Sequence, residues 1–165
     1  METTLTITHG GRQYVATTPE QLAEAGVPAE VIQQALDAQI IERAQAQIDA
    51  IADRVYTTSP SRAARYQLKL AEAQRYMDAG APAKPKAADY PYLTAEAAAR
   101  GITAKQLAQA ILAAAQAMEA FGAGAEAARA RLKTEVPQAA DDAAKQVAAA
   151  GIVAEVQQAA AALQQ

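Results

Sequence analysis

Apolar and polar residues change their period along the chain, and the changes mark the elements. Around Thr3-Leu5-Ile7 and Gln13-Tyr14-Val15, apolar residues alternate with polar ones on either side of His9-Gly10-Gly11-Arg12. Period two around a Gly-Gly pair predicts a β-hairpin over residues 1–17. At Thr18-Pro19-Glu20-Gln21 the period becomes helical: Thr18 is placed to cap, Pro19 suits the first turn and Gln21 completes a capping box. This first helix stops at Gly26, and Val27-Pro28 opens a second that runs to about Thr57, roughly 45 Å of helix. Along it Ile41, Ala44, Ile48, Ile51 and Val55 recur at spacings of three and four, a narrow coiled-coil stripe that needs a partner helix.

Thr58-Ser59-Pro60 interrupts the pattern, with Ser59 as N-cap and Pro60 at N1, and the next helix covers about Ser61 to Ala79 with Tyr66, Leu70, Ala73 and Met77 as its seam. Residues 18–80 therefore read as a helical hairpin closed by Gly80. The stretch 81–93, with its Pro, Ala and Lys, reads as an extended linker and domain boundary. Beyond the aromatic plug Tyr90-Pro91-Tyr92-Leu93, residues 94–165 form a C-terminal helical region. Its expected parts are a short helix from Thr94 to Gly101, a long one from the Thr103–Gln106 capping box to about Glu135, and a last one restarting at Pro137 and interrupted at Gly151. Gly122 and Gly124 inside the long helix suggest a bend or a close crossing. The predicted fold class is mainly α: an N-terminal β-hairpin, a helical hairpin and further long helices, elongated or bundled.

Composition narrows what such helices can do. Of the 165 residues 48 are alanine, leaving about 22% larger apolar residues, a thin supply for a self-sufficient core. Extended helices or a homo-oligomer are expected. Fifteen Lys and Arg against eighteen Asp and Glu give no broad footprint for nucleic acid or anionic membrane. With no cysteine and one histidine, disulfides, thiolate zinc sites and imidazole triads are essentially excluded. The Met1-Glu2-Thr3-Thr4 start lacks the basic and apolar regions of a secretory signal, and no apolar run approaches a membrane span, so a soluble cytosolic chain is expected.

Candidate chemistry is correspondingly sparse. His9 reads as an exposed turn histidine, and Gly10-Gly11, which precedes a strand, lacks a phosphate-binding pattern. Asp141-Asp142 reads as a solvated first-turn pair favouring a helix N-terminus. Arg129, Arg131, Lys133 and Lys145 read as solvated surface, as do Lys84 and Lys86. No catalytic residue, cofactor, metal or small-molecule substrate is assigned. Tyr66, Tyr76, Tyr90 and Tyr92 read first as a hydrophobic cluster, and otherwise as an interaction patch.

The ordered run Thr18-Pro19-Glu20-Gln21-Leu22-Ala23-Glu24-Ala25-Gly26-Val27-Pro28, Arg65-Tyr66, Ala73-Gln74-Arg75-Tyr76, Tyr90-Pro91 and Gly101-Ile102-Thr103 resembles small alanine-rich helical proteins of the tail-fibre and tail-tip regions of tailed bacteriophages. The resemblance spans most of residues 10–135, with Met118 and Phe121 where such proteins tend to carry a tryptophan. It implies a non-enzymatic tail structural or interaction protein, found in the virion tail and in the host cytoplasm during assembly. Its partners would be other tail or fibre proteins and further copies of itself, with no nucleic acid and no membrane span. Ile41, Ile48, Ile51, Val55, Tyr66, Leu70, Met77, Tyr90 and Tyr92 are the residues expected to carry those contacts. The alternative is a fibre-assembly chaperone absent from the mature particle, compatible with a flexible linker and a tail that folds on binding. A small enzyme would need a carboxylate and a lysine to converge in a deep pocket.

Overall fold

A computed structural model describes residues 3–56 and 59–163. The chain is mainly α, with strands β1 (Leu5–His9) and β2 (Arg12–Thr17) followed by helices α1 (Pro19–Glu24), α2 (Ala29–Val55), α3 (Pro60–Asp78), α4 (Pro91–Arg100), α5 (Ala104–Glu135) and α6 (Asp142–Ala162). A short 3-10 turn, Val136–Gln138, joins the last two. The expected helix end at Thr57 and break at Thr58 lie outside the described residues.

The hairpin turns on Gly10 and Gly11, both at positive φ, with His9 opposite Arg12. Two consecutive left-handed residues give a turn whose twist matches that of the strands, and glycine adopts this backbone without a Cβ clash. Between the Leu5–Thr17 and Ile7–Tyr14 pairs β2 carries one extra residue, a bulge with Ala16 at φ 49°. Thr18 and Gln21 form the expected capping box, and Gln106 closes the same arrangement on Thr103. Gly26 ends α1: its own N–H donates to Ala23 and that of Val27 to Leu22, a Schellman closure that folds Val27 back beside Leu22. Leu5, Leu22, Val27 and Ile32 consequently form one buried cluster, which Ile7, Tyr14 and Leu36 flank. The hairpin gains on these helices the apolar cover that two strands alone lack.

Several local expectations differ in the structure. The last helix begins at Asp142 and not at Pro137, which lies in the 3-10 turn, because Asp141 supplies the cap to the Ala144 N–H. Helix α4 begins at Pro91, not Thr94, whose hydroxyl instead donates to the Tyr90 carbonyl at 2.7 Å. The earlier start is possible because Glu72 of α3 accepts the Leu93 N–H at 2.7 Å, so a residue distant in sequence supplies the cap. Helix α6 passes through Gly151 without a break, and its residues Ala149, Ile152, Val153, Val156 and Ala160 are buried. Packing of that face offsets a glycine penalty of about 1 kcal/mol. Ser59 occupies the N-cap position of α3 but makes no capping bond.

The chain forms two compact units, one of Met1–Ile51 with Ala125–Gln158 and the other of Ala52–Gly124 with Ala159–Gln165. The division expected at 81–93 falls elsewhere, because that segment is bound into the second unit. Ala81 N–H donates to the Tyr76 carbonyl, the Tyr76 hydroxyl to the Pro82 carbonyl and Arg75 to the Asp89 carbonyl. Prolines there make a compact irregular crossing from α3 to α4. The second unit is built on Ala73, Tyr76, Leu93, Ala97, Leu107 and Ala108, contributed by α3, α4 and the start of α5.

Gly122 is a close-approach site, as its place in a long helix suggested. A Cβ there would lie 2.6 Å from the Tyr56 hydroxyl oxygen but 3.9 Å from the next ring atom, and the Tyr56 ring packs at 6.0 Å on Phe121. Gly122→Ala is therefore expected to gain the full helix-propensity benefit of about 1 kcal/mol only together with Tyr56→Phe. In the Tyr56 background the clash should cancel most of it. Urea denaturation of the two single variants and the double variant checks this coupling.

Candidate functional site

The nine residues expected to make contacts are distributed by burial into three groups. Ile48 is fully buried, so the centre of the α2 stripe is covered within the chain and is no free surface. Ile41, Ile51 and Val55 on the same stripe are half-buried, as are Leu70 and Met77 of α3. Tyr66 alone stands open, 54% exposed; Leu68, two residues on and so on the other side of α3, is 53% exposed.

The tyrosines split in the same way. Tyr76 is buried edge-on against Tyr90, with ring centres 5.3 Å apart and planes at 87°, and Arg75 lies 6.0 Å over the Tyr90 ring. Edge-to-face packing and the cation above the ring account for a stable aromatic pair. Tyr92 is half-buried at the start of α4. Tyr66, expected in the seam, is left outside it, because the packed part of α3 begins only near Lys69 and Leu70. With ten residues, α4 is too short to cover all nineteen of α3.

In the first unit polar side chains lock helices pairwise. Lys145, expected on a solvated surface, is buried, and its ammonium donates to the Asp37 carboxylate at 2.6 Å. Gln33 donates to both Asp37 and Asp142 at 3.0 Å, tying the start of α6 to α2. Arg129 of α5 pairs with Asp49 of α2 and with Glu126, while Arg131 pairs with Glu135 and with Glu155 of α6. These arginines, expected as solvated surface, are engaged in ion pairs there. Asp141 accepts the Ala144 N–H at 2.8 Å and caps α6, and Asp142 occupies its first turn, as that acidic pair suggested.

The hydrogen bond from Arg131 holds the Glu135 carboxyl below the usual glutamate range, and the same bond, with that to Glu155, raises the guanidinium value. Because the folded value is lowered, the contribution of Glu135 is present above the ordinary glutamate range and is lost as pH falls through the lowered value.

A groove of about 350 Å³ runs between β1 and α2, lined by Thr4, Leu5, Thr6, Ala38, Gln39 and Glu42 among others, and Gln39 spans it to donate to the Thr4 carbonyl. Glu42 is its one titratable side chain. The buried carboxylate–lysine pair, Asp37 with Lys145, does not line it. Among the described residues no three His, Cys, Asp or Glu side chains come together in a way that could hold a metal ion. No helix among them is long and apolar enough to cross a membrane.

The Asp37–Lys145 pair was legible as two exceptions in apolar seams. Asp37 precedes Ile41, Ala44 and Ile48 at the stripe spacing, and Lys145 precedes Ala149, Ile152 and Val156 in the same way. One acid and one base, each at the end of a buried stripe, were candidates to meet. Glu72 gave no such signal, since its partner is a backbone N–H.

Two measurements test this account. Lys145→Met should cost about 3–5 kcal/mol by urea denaturation, because Asp37 is left buried and unpaired, while adding Asp37→Leu should recover most of the loss. In an NMR titration the Glu135 carboxyl should have its midpoint below the usual glutamate range, and Arg131→Gln should move it up.

No protein-family model, curated protein or solved structure matches this chain.

Proposed function

We propose that this chain is a non-enzymatic structural or interaction protein of a bacteriophage tail, acting at the tail tip or fibre through helix faces. The family part of this reading is supported by the ordered run from Thr18 to Thr103 that resembles tail-region proteins. Its physical part is supported by one observation above all: α3 projects two and a half turns, from Pro60 to Leu68, in which Tyr66 and Leu68 are open to solvent. Exposed aromatic and aliphatic side chains on a rigid helix suit contact with another protein. The half-buried Val55, Leu70, Met77, Tyr90 and Tyr92 of the second unit would add to such contacts, and Ile41 and Ile51 of the first unit would offer contacts of their own, whether in a coiled coil or on a broader helical face. Ile48 would act from within, by keeping α2 in place.

The chaperone alternative drew on a flexible linker and a tail without structure of its own. Residues 81–90 are instead held by hydrogen bonds to α3, and α6 is a helix with a buried face. These observations favour a constitutively folded component.

Peptide mass spectrometry on purified particles of the source phage, calibrated against the major tail protein, is the test. The chain should be recovered at a fixed ratio. Abundance in the infected-cell lysate with absence from particles would transfer the assignment to an assembly chaperone.

A further inference from the structure

We infer that the N-terminal half of α3 docks on the acidic surface of a second copy of this chain, Arg62, Arg65 and Tyr66 meeting the base-free segment that carries Glu20, Glu24 and Glu30. This rests on the reading of the chain as an interaction protein and names its partner.

The face is the continuation of one already packed. Arg62, Tyr66, Lys69, Ala73 and Tyr76 follow one another at spacings of four, three, four and three, so they share one side of α3. Ala73 and Tyr76 are buried, Lys69 is half-buried and paired with Glu96, and Tyr66 and Arg62 are exposed. The seam therefore runs out of cover for about two turns. There it changes character: Arg62 and Arg65 replace apolar residues, and neither joins the ion pairs that engage Lys69 and Arg100 among the described residues. Arginine and tyrosine together on an open helix face are the residue types that anchor protein interfaces.

Charge selects the occupant. Residues 52–124 carry nine Lys and Arg against six Asp and Glu, and of those six Glu72 is buried and Glu96 already paired. Residues 1–51 and 125–158 carry twelve acids against six bases. In that acidic unit Lys145, Arg129 and Arg131 are consumed by Asp37, Asp49, Glu126, Glu135 and Glu155. The acids left without an ion pair among the described residues include Glu20, Glu24 and Glu30, all exposed, and no base falls between residues 13 and 42. One chain thus presents both halves of a complementary pair. Because the two surfaces differ, each copy offers a second docking site to the next, and the contact is heterologous. Exposed ion pairs add little affinity singly, so Tyr66 supplies the apolar part while the charges set orientation and rate.

The full chain should self-associate in a concentration-dependent way at about 0.02 M NaCl and dissociate at about 0.5 M, read by light scattering and sedimentation velocity. Arg62→Glu with Arg65→Glu, and separately Glu20→Lys with Glu24→Lys, should each remain monomeric under the same conditions. Mixed, the two variants should co-assemble with equal numbers of each, since the retained acidic residues of one meet the retained arginines of the other and the two reversed surfaces complement each other as well. That outcome also shows both variants to be folded. Assembly that persists in either variant alone, or no complex on mixing, overturns this docking and leaves the interaction reading standing. A wild-type chain monomeric at every concentration and salt also overturns it. If that monomer binds a fluorescein-labelled single-stranded oligonucleotide and Arg62→Glu/Arg65→Glu loses at least about tenfold in affinity, the face belongs to nucleic acid and the protein-interaction reading of α3 fails as well.

Discussion

Scarcity of large apolar side chains is the constraint on which the structure depends. Alanine favours helix formation but buries little surface, so Ala-rich helices have weak preferences about which neighbour they meet and in what register. The chain resolves that ambiguity with a few residues that fit in one way only. Asp37 and Lys145 cannot be buried apart, and this fixes α6 against α2. Glu72 must find a donor when it is buried, and the Leu93 N–H at the start of α4 provides it. Tyr76 fills the space that alanines leave among α3, α4 and α5, and its hydroxyl holds the crossing segment at Pro82.

Polar interlocks of this kind specify more than they stabilise. A buried ion pair returns little net energy once the cost of desolvating both charges is met, but losing either partner is severe. In a core of Ala44, Ala125, Ala128 and Ala149, where shifting a helix by one turn would exchange one methyl group for another, such intolerance distinguishes the right arrangement from its neighbours. The surface ion pairs of Arg129 and Arg131 serve the same arrangement more weakly, each joining two helices at a solvent-facing edge. They also remove three cations, with Lys145, from the acidic unit's free charge.

That removal gives the charge distribution its meaning for function. The chain is close to neutral as a whole, and a single net figure of −3 conceals an acidic unit and a basic one. The basic one bears a helix whose packed face continues into solvent with Arg62, Arg65 and Tyr66 upon it. On the proposed reading, that helix carries the recognition chemistry.

Local signals were enough for the elements. The Gly10-Gly11 turn, the Thr18–Gln21 and Thr103–Gln106 boxes, the Gly26 stop and the helical periods of α2, α3 and α5 all depend on residues within a turn or two of each other, and so could be read along the chain. The start of α4 could not, because its cap comes from Glu72, and neither could continuity through Gly151, because the compensation comes from the opposite side of the buried face. Of the expected contact residues, the stripe of α2 was correctly placed on one face, but which members would be shut in and which left open depended on helices far away in sequence. Periodicity states that Ile48 and Tyr66 each face something; the length and position of the neighbouring helices decide that Ile48 is buried and Tyr66 is bare. Sequence alone determined a mainly helical chain with an N-terminal hairpin, since hydrogen bonding and capping are local. Only the tertiary structure decided which charges are spent inside and which remain outside, since pairing a charge requires a partner that the chain brings back from a hundred residues away.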